Sequence, residues 1–377
     1  MKKILEITTV GITARAFLVP FFQELKEQGF EVTYASTPDF DAEETVKAAE
    51  VKFFPVPISR KISPSDLVSF WKLYRFIRKE KFDIVHTHTA KAGFVGRIAA
   101  SLAGVPLIIH TAHGLTVHPG LSKFKKKLYL FLERYAAKRT KKFICVTKLV
   151  EDSLVEQGIT EREKCVIIPN FAGPAYDPEK VDSARKAKLS SKLDLPKGAF
   201  LLTCAARLVN DKGLAESISS LTDLPKNVYL AIAGDGPNRE KLQKLAELLR
   251  VSDRVRFLGW IDTFDMPALL SLTDVFIAAT KREGFGVGII EAQAMELPVV
   301  TSHIRPITDL LAPDSALFID PQTKESTREG ILQSVRELLR DEQKRKALSQ
   351  KARENAQKYS LQNYRENVRA FIQRELR

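Results

Sequence analysis

Cysteine is scarce: Cys145, Cys165 and Cys204 are the chain's only three. Each stands in an apolar, strand-like run. Their odd number and lack of metal-type spacing exclude a disulfide framework and a thiolate metal site, leaving reduced core thiols of a cytoplasmic protein. Long apolar runs are missing as well, and none approaches the roughly 20 residues that cross a bilayer. The opening Met-Lys-Lys-Ile-Leu-Glu-Ile is interrupted by Glu6 too early for a signal peptide and reads as a first buried strand. No repeat or low-complexity tract appears. The turn after that strand, Thr8-Thr-Val-Gly-Ile-Thr-Ala, lacks G-x-G-x-x-G, which counts against a nicotinamide-dependent oxidoreductase. Acid is the minority charge, with 46 Asp and Glu against 59 Lys and Arg, a net of +13.

What is present is an ordinary globular composition, 44% apolar and 28% charged over 377 residues, long enough for two domains. Short β-branched runs alternate with helical periodicity. Strands are expected at 3–9, 31–35, 83–87, 106–111, 142–146 and 166–169, with helices at 14–28, 65–79, 92–103 and 149–157 between them. The polar, proline-bearing stretch 170–200 breaks the pattern. Strands then resume at 201–206, 228–233, 255–258, 275–279 and 298–301. Helices are expected at 213–221, 238–249 and 287–295, and a helical tail at 326–339, 342–358 and 361–376. Such alternation implies two doubly wound parallel sheets in tandem, with ligands beyond the carboxyl ends of the strands and a cleft between the domains.

The basic excess concentrates between Leu121 and Lys142, where Lys123, Lys125, Lys126, Lys127, Arg134, Lys138, Arg139, Lys141 and Lys142 face the single acid Glu133. Phe124, Leu128, Leu130, Phe131 and Tyr135 give an apolar side. This basic amphipathic helix suits an anionic membrane surface, or else is a docked helix with solvated charges. Nucleic acid is disfavoured, because no reader motif interleaves with the charges.

The stretch 283–296, EGFGVGIIEAQAME, holds two carboxylates eight apart around a glycine-rich turn that opens a helix. Free amides at such a helix start attract an anion. Glu283 before it and Glu291 about one turn inside are acceptors for sugar hydroxyls. A phosphate held between two polyols, as in a nucleotide sugar, fits that arrangement, although an isolated string of this kind is more often a helix cap with one surface glutamate. In CAARLVNDKGLAESI, Arg207 and Lys212 are placed to meet a pyrophosphate from the other side. The Gly-Asp-Gly-Pro turn at 234–237 and the Phe257–Trp260 turn end two further strands. His86 and His88 alternate on a strand without a third ligand, and Asp39-Phe-Asp41, read as a polar loop, is discounted as a metal motif.

Arg207 with Lys212-Gly213, Ala233-Gly-Asp-Gly-Pro237, Phe257-Leu-Gly259, Glu283-Gly-Phe-Gly286, Glu291 and Leu297-Pro-Val-Val300 occur in the order and spacing of one family. The first half adds Asp83-Ile-Val-His-Thr-His88, Lys91-Ala-Gly93, Gly104-Val-Pro106, His110-Thr-Ala-His-Gly114 and Val166-Ile-Ile-Pro-Asn170. Together these resemble glycosyltransferase family 4, retaining enzymes of the two-Rossmann GT-B architecture, and most nearly bacterial enzymes of capsule, exopolysaccharide or lipopolysaccharide assembly. The resemblance implies an acceptor-binding domain over 1–175, a linker over 176–198, a nucleotide-sugar domain over 199–358, and a last helix, 359–377, packing back on the first domain. It assigns Arg207 and Lys212 to the diphosphate, Glu291 to the ribose and Glu283 to the transferred sugar. Amides of Phe285 and Gly286 face the sugar, those of Val287 and Gly288 the phosphates, and Gly259 and Trp260 the base. Gly11 lets the first domain approach the phosphate, and His113 lies near the donor sugar. Arg207, Lys212, Glu283 and His113 carry the chemistry.

By the same resemblance no metal or other cofactor is expected. The donor is a nucleoside-diphosphate sugar, with UDP ahead of GDP. The acceptor is a saccharide, free or polyprenyl-linked, reached from the inner face of the membrane through Lys123, Lys125, Lys126 and Lys127. Departures from the family pattern are Gly11 standing alone in its turn, Glu296 in place of a frequent glycine, Phe171-Ala-Gly after the hinge asparagine, and no glycine pair after Thr301. Rival readings with the same fold are a nucleotide-sugar epimerase and a sugar-nucleotide-binding module without turnover; the basic pair and the two carboxylates together favour transfer.

Overall fold

The structure, a computed structural model, describes residues 1–58, 65–115, 117 and 120–376. Contacts divide the chain into two compact units, Met1–Asn170 with Gln362–Arg377, and Phe171–Leu361.

The first unit is a seven-stranded parallel sheet: β1 (Lys3–Ile7), β2 (Glu31–Ser36), β3 (Lys52–Pro55), β4 (Ile84–His88), β5 (Leu107–Ala112), β6 (Lys142–Cys145) and β7 (Cys165–Ile167). Its helices are α1 (Gly11–Phe17), α2 (Val19–Glu27), α3 (Phe40–Ala49), α4 (Ser65–Glu80), α5 (Ala90–Ala103), α6 (Lys123–Ala137) and α7 (Lys148–Glu156). The spatial order β3-β2-β1-β4-β5-β6-β7 reverses direction between β1 and β4. Leu5, Ile7, Val85, Ala99 and Ile108 are among the buried residues that hold α4 and α5 on the sheet.

The single helix expected over 14–28 is two. Pro20 lacks an amide hydrogen and crowds the preceding turn, so it stands near the start of α2, and α1 stops at Phe17. The stretch read as a polar loop at Asp39 opens α3: Asp39 is its N-cap, accepting from the Ala42 amide at 2.8 Å, and Asp41 pairs with Arg15. Both carboxylates are thus engaged by groups of the chain itself, the Ala42 amide and the Arg15 guanidinium.

The second unit begins at Phe171, ahead of the stretch 176–198 read as a linker. That stretch contains α8 (Ser183–Leu193), capped by Asp182, whose Leu189 and Leu193 join Leu201, Ala231 and Leu258 in a buried cluster. Two leucines four apart in a lysine-rich helix are too narrow a stripe to stand out in the sequence. There follow β8 (Phe200–Ala205), α9 (Leu214–Ser220), β9 (Val228–Ala233), α10 (Arg239–Leu248), β10 (Val255–Gly259) and α11 (Met266–Leu270). Beyond them come β11 (Val275–Ala278), α12 (Val287–Ala294), β12 (Val299–Ser302), α13 (Ile307–Leu310), β13 (Leu317–Ile319), α14 (Lys324–Arg340), α15 (Glu342–Gln357) and α16 (Leu361–Glu375). The six strands run in the order β10-β9-β8-β11-β12-β13, reversing between β8 and β11. Beyond Leu361 the last helix is counted with the first unit, where Arg369 pairs with the buried Glu24.

In each sheet the reversal leaves a crevice beyond the carboxyl ends of the two central strands, the usual ligand position in open α/β sheets.

Candidate functional site

In the second unit the crevice lies between the loops that leave β8 and β11. The β8 loop carries Arg207, Lys212 and Gly213. Gly213 has φ +66°, and a Cβ there would stand 2.2 Å from the Ala279 carbonyl oxygen, so only glycine lets this loop lie against the end of β11. The loops are then stitched together: the Lys281 amide donates to Asp211 O at 2.8 Å, and Arg282 pairs with the Asp211 carboxylate at 2.8 Å.

This brings Lys212 and Glu283, 71 residues apart, into an ion pair of 2.8 Å, each side chain about three-quarters buried. Glu283 also accepts its neighbour's amide, Gly284 N–H, at 3.0 Å. Arg207 stands exposed at the same edge and, among the described residues, has no ion-pair partner. Behind it Gly236 packs so closely that a Cβ would meet the Leu208 carbonyl oxygen at 2.6 Å, giving the Gly-Asp-Gly-Pro turn a packing role.

Gly286, at φ +89°, turns the chain into α12, and among the described residues no side chain caps that end. The amides of Val287 and Gly288 occupy the first turn, where an α-helix supplies no acceptor. Phe285 is buried, edge-on to Tyr359 at 5.7 Å. Glu291 projects from the second turn of α12 and accepts a hydrogen bond from the Tyr176 hydroxyl; burial raises its pKa to about 7, against the partial opposing effect of that bond. Further along α12 the buried Gln293 donates to Ser315 O at 2.8 Å and accepts from Asn355 at 2.8 Å, tying the helix to α15. Gly259, at φ +72°, ends β10, and Trp260 beyond it is 69% exposed. Arg207, Lys212, Glu283 and the start of α12 thus share one sheet edge, while Gly259 and Trp260 lie two strands along it. Glu296 ends α12 at φ +60°, which explains a glycine preference at that position, and here it pairs with Arg353.

In the first unit Gly11 is buried as the first residue of α1. Its amide donates to Asp39 Oδ2 at 3.1 Å, and a Cβ would lie 2.1 Å from the Ala42 nitrogen. Its smallness is used in seating α1 on the start of α3.

At the reversal point between β1 and β4 the structure assembles a buried polar cluster. Glu6 is fully buried, and β1–β4 register sets it opposite His86. His86 Nδ1 lies 3.1 Å from Glu6 Oε1, and His88 Nε2 lies 2.8 Å from Oε2. His88 Nδ1 meets His113 Nε2 at 3.2 Å, and His86 Nε2 meets Thr111 Oγ1 at 2.7 Å. His113 Nδ1 is buried and, among the described residues, has no hydrogen-bond partner. Burial pulls His86 and His88 down to about 3 and His113 to about 4, and pushes Glu6 up. The imidazoles are therefore neutral near pH 7, and their contacts with Glu6 are hydrogen bonds of neutral rings. Phe17, Phe21, Ile144, Ile168, Asn170 and Tyr364 are among the residues closing a cavity of about 20 Å³ over the cluster, room for about one water. The third donor missing beside His86 and His88 in the sequence is thus Glu6. The signal was a carboxylate in a buried apolar strand, which in the sequence serves only to argue against a signal peptide.

On α6 the lone acid Glu133 turns inward to the buried Arg97 at 2.7 Å. Lys123, Lys125, Lys126 and Lys127 are exposed, and Phe124, Phe131 and Tyr135, on one stripe of the helix, are 77, 66 and 42% exposed. The aromatic side of this helix is not consumed by the core. Among the described residues no helix is long and apolar enough to cross a membrane.

Residues 18–174 match the family described as Glycosyltransferase Family 4, and residues 185–355 the family Glycosyl transferases group 1. The chain is 35% identical over 262 residues to the UDP-Gal:alpha-D-GlcNAc-diphosphoundecaprenol alpha-1,3-galactosyltransferase of Escherichia coli, a match spanning 67% of this chain and 66% of that one. It is 26% identical to the capsular polysaccharide biosynthesis glycosyltransferase CapM of Staphylococcus aureus, over 81% of each chain. In fold it is similar to Anabaena Alr3699/HepE, solved in complex with UDP and glucose, with TM-score 0.83 and 17% identity over 99% of this chain and 100% of that one.

Proposed function

This chain belongs to glycosyltransferase family 4, and on that premise we propose that it moves a sugar from a nucleoside diphosphate, UDP, to a lipid-linked saccharide in bacterial surface polysaccharide or glycolipid synthesis. The observation that carries this reading is the Lys212–Glu283 pair set beside the uncapped start of α12, at the reversal point of the second sheet. A diphosphate on those amides places its charge against Lys212 and Arg207. As the sugar departs, negative charge grows on the phosphates, and preorganised cations and amides stabilise it where it develops. On this reading they do the work of a metal, and none is required. Glu291 takes the ribose hydroxyls as a carboxylate. Glu283, released from Lys212, takes hydroxyls of the transferred sugar and positions it for attack from the face the phosphate leaves, with retention; it is not a nucleophile. Gly259 and Trp260 receive the base, and His113 is assigned to a hydroxyl of the donor sugar.

The match with an enzyme whose named substrate is diphosphoundecaprenol-linked supports a polyprenyl-linked acceptor. So does α6, whose lysines and outward aromatics suit an anionic membrane surface. A second stripe favours the same face: α4 exposes Leu67, Val68 and Trp71 beside Lys72 and Arg75, and α5 packs against both α4 and α6.

A panel of UDP- and GDP-sugars with undecaprenyl-diphosphate saccharides, run with and without chelator, tests the proposal. Transfer from a UDP-sugar that survives chelation and falls at least about a hundredfold in Glu283→Ala is expected. Free hydrolysis only, or loss on chelation, overturns it. Sedimentation with anionic vesicles at low salt tests the membrane face, and no binding there removes it.

A further inference from the structure

We propose that Glu6 is a positioning residue that dictates, through His88, which nitrogen of His113 carries the proton, so that His113 presents the bare Nδ1 as a hydrogen-bond acceptor.

Donor and acceptor accounting leads there. Burial pushes Glu6 up, but the His88 hydrogen bond opposes that shift, and ring nitrogens within hydrogen-bond distance of both its oxygens favour the ionised acid. As a carboxylate Glu6 has no proton to give, so it accepts from both rings that touch it. His86 must carry its proton on Nδ1, 3.1 Å from Oε1, and His88 on Nε2, 2.8 Å from Oε2. A neutral imidazole has one N–H, so the other nitrogen of each ring is an acceptor. His86 Nε2 takes the Thr111 hydroxyl proton at 2.7 Å. Among the described residues His88 Nδ1 has only His113 Nε2 opposite it, at 3.2 Å, and accepts from it. His113 is then protonated at Nε2, and Nδ1, the nitrogen without a partner, is left with its lone pair. Once Glu6 is ionised, each step is forced by the one before, and the source is a carboxylate two side chains away. The cluster explains its own burial, because each polar atom has a complementary partner except the one at the end of the chain. Phe21 against His86 at 5.2 Å and Phe17 against His113 at 6.1 Å hold the outer rings in place.

An Nδ1 acceptor suits a hydroxyl donor and repels a carbonyl or phosphate oxygen. Only this last step, toward a sugar hydroxyl, rests on the reading of the preceding subsection; the proton assignment stands without it.

Selective ¹⁵N-histidine labelling of the full chain tests it, since the protein has six histidines and long-range ¹H–¹⁵N spectra distinguish the two neutral tautomers. Loss of a signal in His113→Gln assigns that ring. Expected in the wild type are single tautomers, Nδ1–H for His86 and Nε2–H for both His88 and His113. A His113 proton on Nδ1, or exchange between the two forms, overturns the proposal. So does a stoichiometric divalent metal in the protein as purified, lost in Glu6→Gln, because metal ligation claims the lone pairs assigned here to hydrogen bonds. Glu6→Leu removes both acceptor bonds: His113 is then expected as a tautomer mixture, with kcat falling about tenfold and the donor KM moving less than about twofold. A single unchanged Nε2–H signal in that variant also overturns it. Should Glu6→Leu not fold, the wild-type spectrum decides alone. Wild-type protein with the expected tautomers but no transfer from any donor would sink the glycosyl-transfer reading and leave the relay standing.

Discussion

Two crevices in one chain, built by the same topological reversal, are furnished in opposite ways. Between β1 and β4 the groups are buried imidazoles and a carboxylate that satisfy one another, save for a single nitrogen. Between β8 and β11 they are cations, a carboxylate and helix amides, partly in water and only loosely committed. The first crevice invests its polar groups in geometry, while the second keeps them available. Removing a member should therefore cost stability in the first and activity in the second.

The contrast is sharpest in the second unit. Arg207→Ala with Lys212→Ala is expected to lower kcat/KM for transfer by about a thousandfold, with Tm falling by no more than about 2 °C, because Arg207 is exposed and the Lys212–Glu283 pair is only partly buried. A fall in Tm of several degrees would mean that these cations hold the fold. His86→Ala is the converse: it leaves Glu6 buried with one donor fewer, and denaturant melts should show a loss of roughly 3 kcal/mol. Wild-type stability there would dissolve the distinction.

Glu291 gives a smaller, pH-dependent effect. Its folded pKa, raised to about 7, lies above the ordinary 4.5, so ionisation penalises the folded state. The penalty is absent below pH 4.5, grows between 4.5 and about 7, and is complete above. Glu291→Gln should therefore raise stability above pH 7 by on the order of 1 kcal/mol and leave it unchanged at pH 4.5. A gain that is equal at both pH values would exclude the ionisation as its cause. Smallest is Glu296→Gly, which relieves the left-handed backbone at the end of α12 but loses the Arg353 pair. A net gain of about 0.5 kcal/mol is expected, and a loss above 1 kcal/mol would show that the pair outweighs the backbone.

The second crevice was largely legible in the sequence because its parts are local. Glycines at the left-handed positions 213, 259 and 286 punctuate the ends of β8, β10 and β11, and the charged residues stand within a few positions of them. The Lys212–Glu283 contact was not legible, since nothing in the sequence says that this cation and this acid neutralise each other. The first crevice is non-local: residues 6, 86, 88, 111 and 113 meet only through strand order. Read singly, Glu6 is an interruption and each histidine a core residue. Among elements, α8 and α3 went unread because their apolar stripes are narrow. Strands β3 and β13 went unread because each is an edge strand whose residues are mostly exposed or half-buried, so no buried apolar run marks it.

The Lys212–Glu283 contact has a kinetic corollary. Any anion reaching that ammonium must evict an internal rival that never diffuses away. The rival weakens the grip on arriving and departing nucleotide alike. On the proposed reading it is least able to return while Glu283 is engaged with a tethered sugar, and regains its hold once that sugar has gone. Spent diphosphate would then be held less firmly than the loaded form, and the ion pair would double as the spring that clears the site for another cycle.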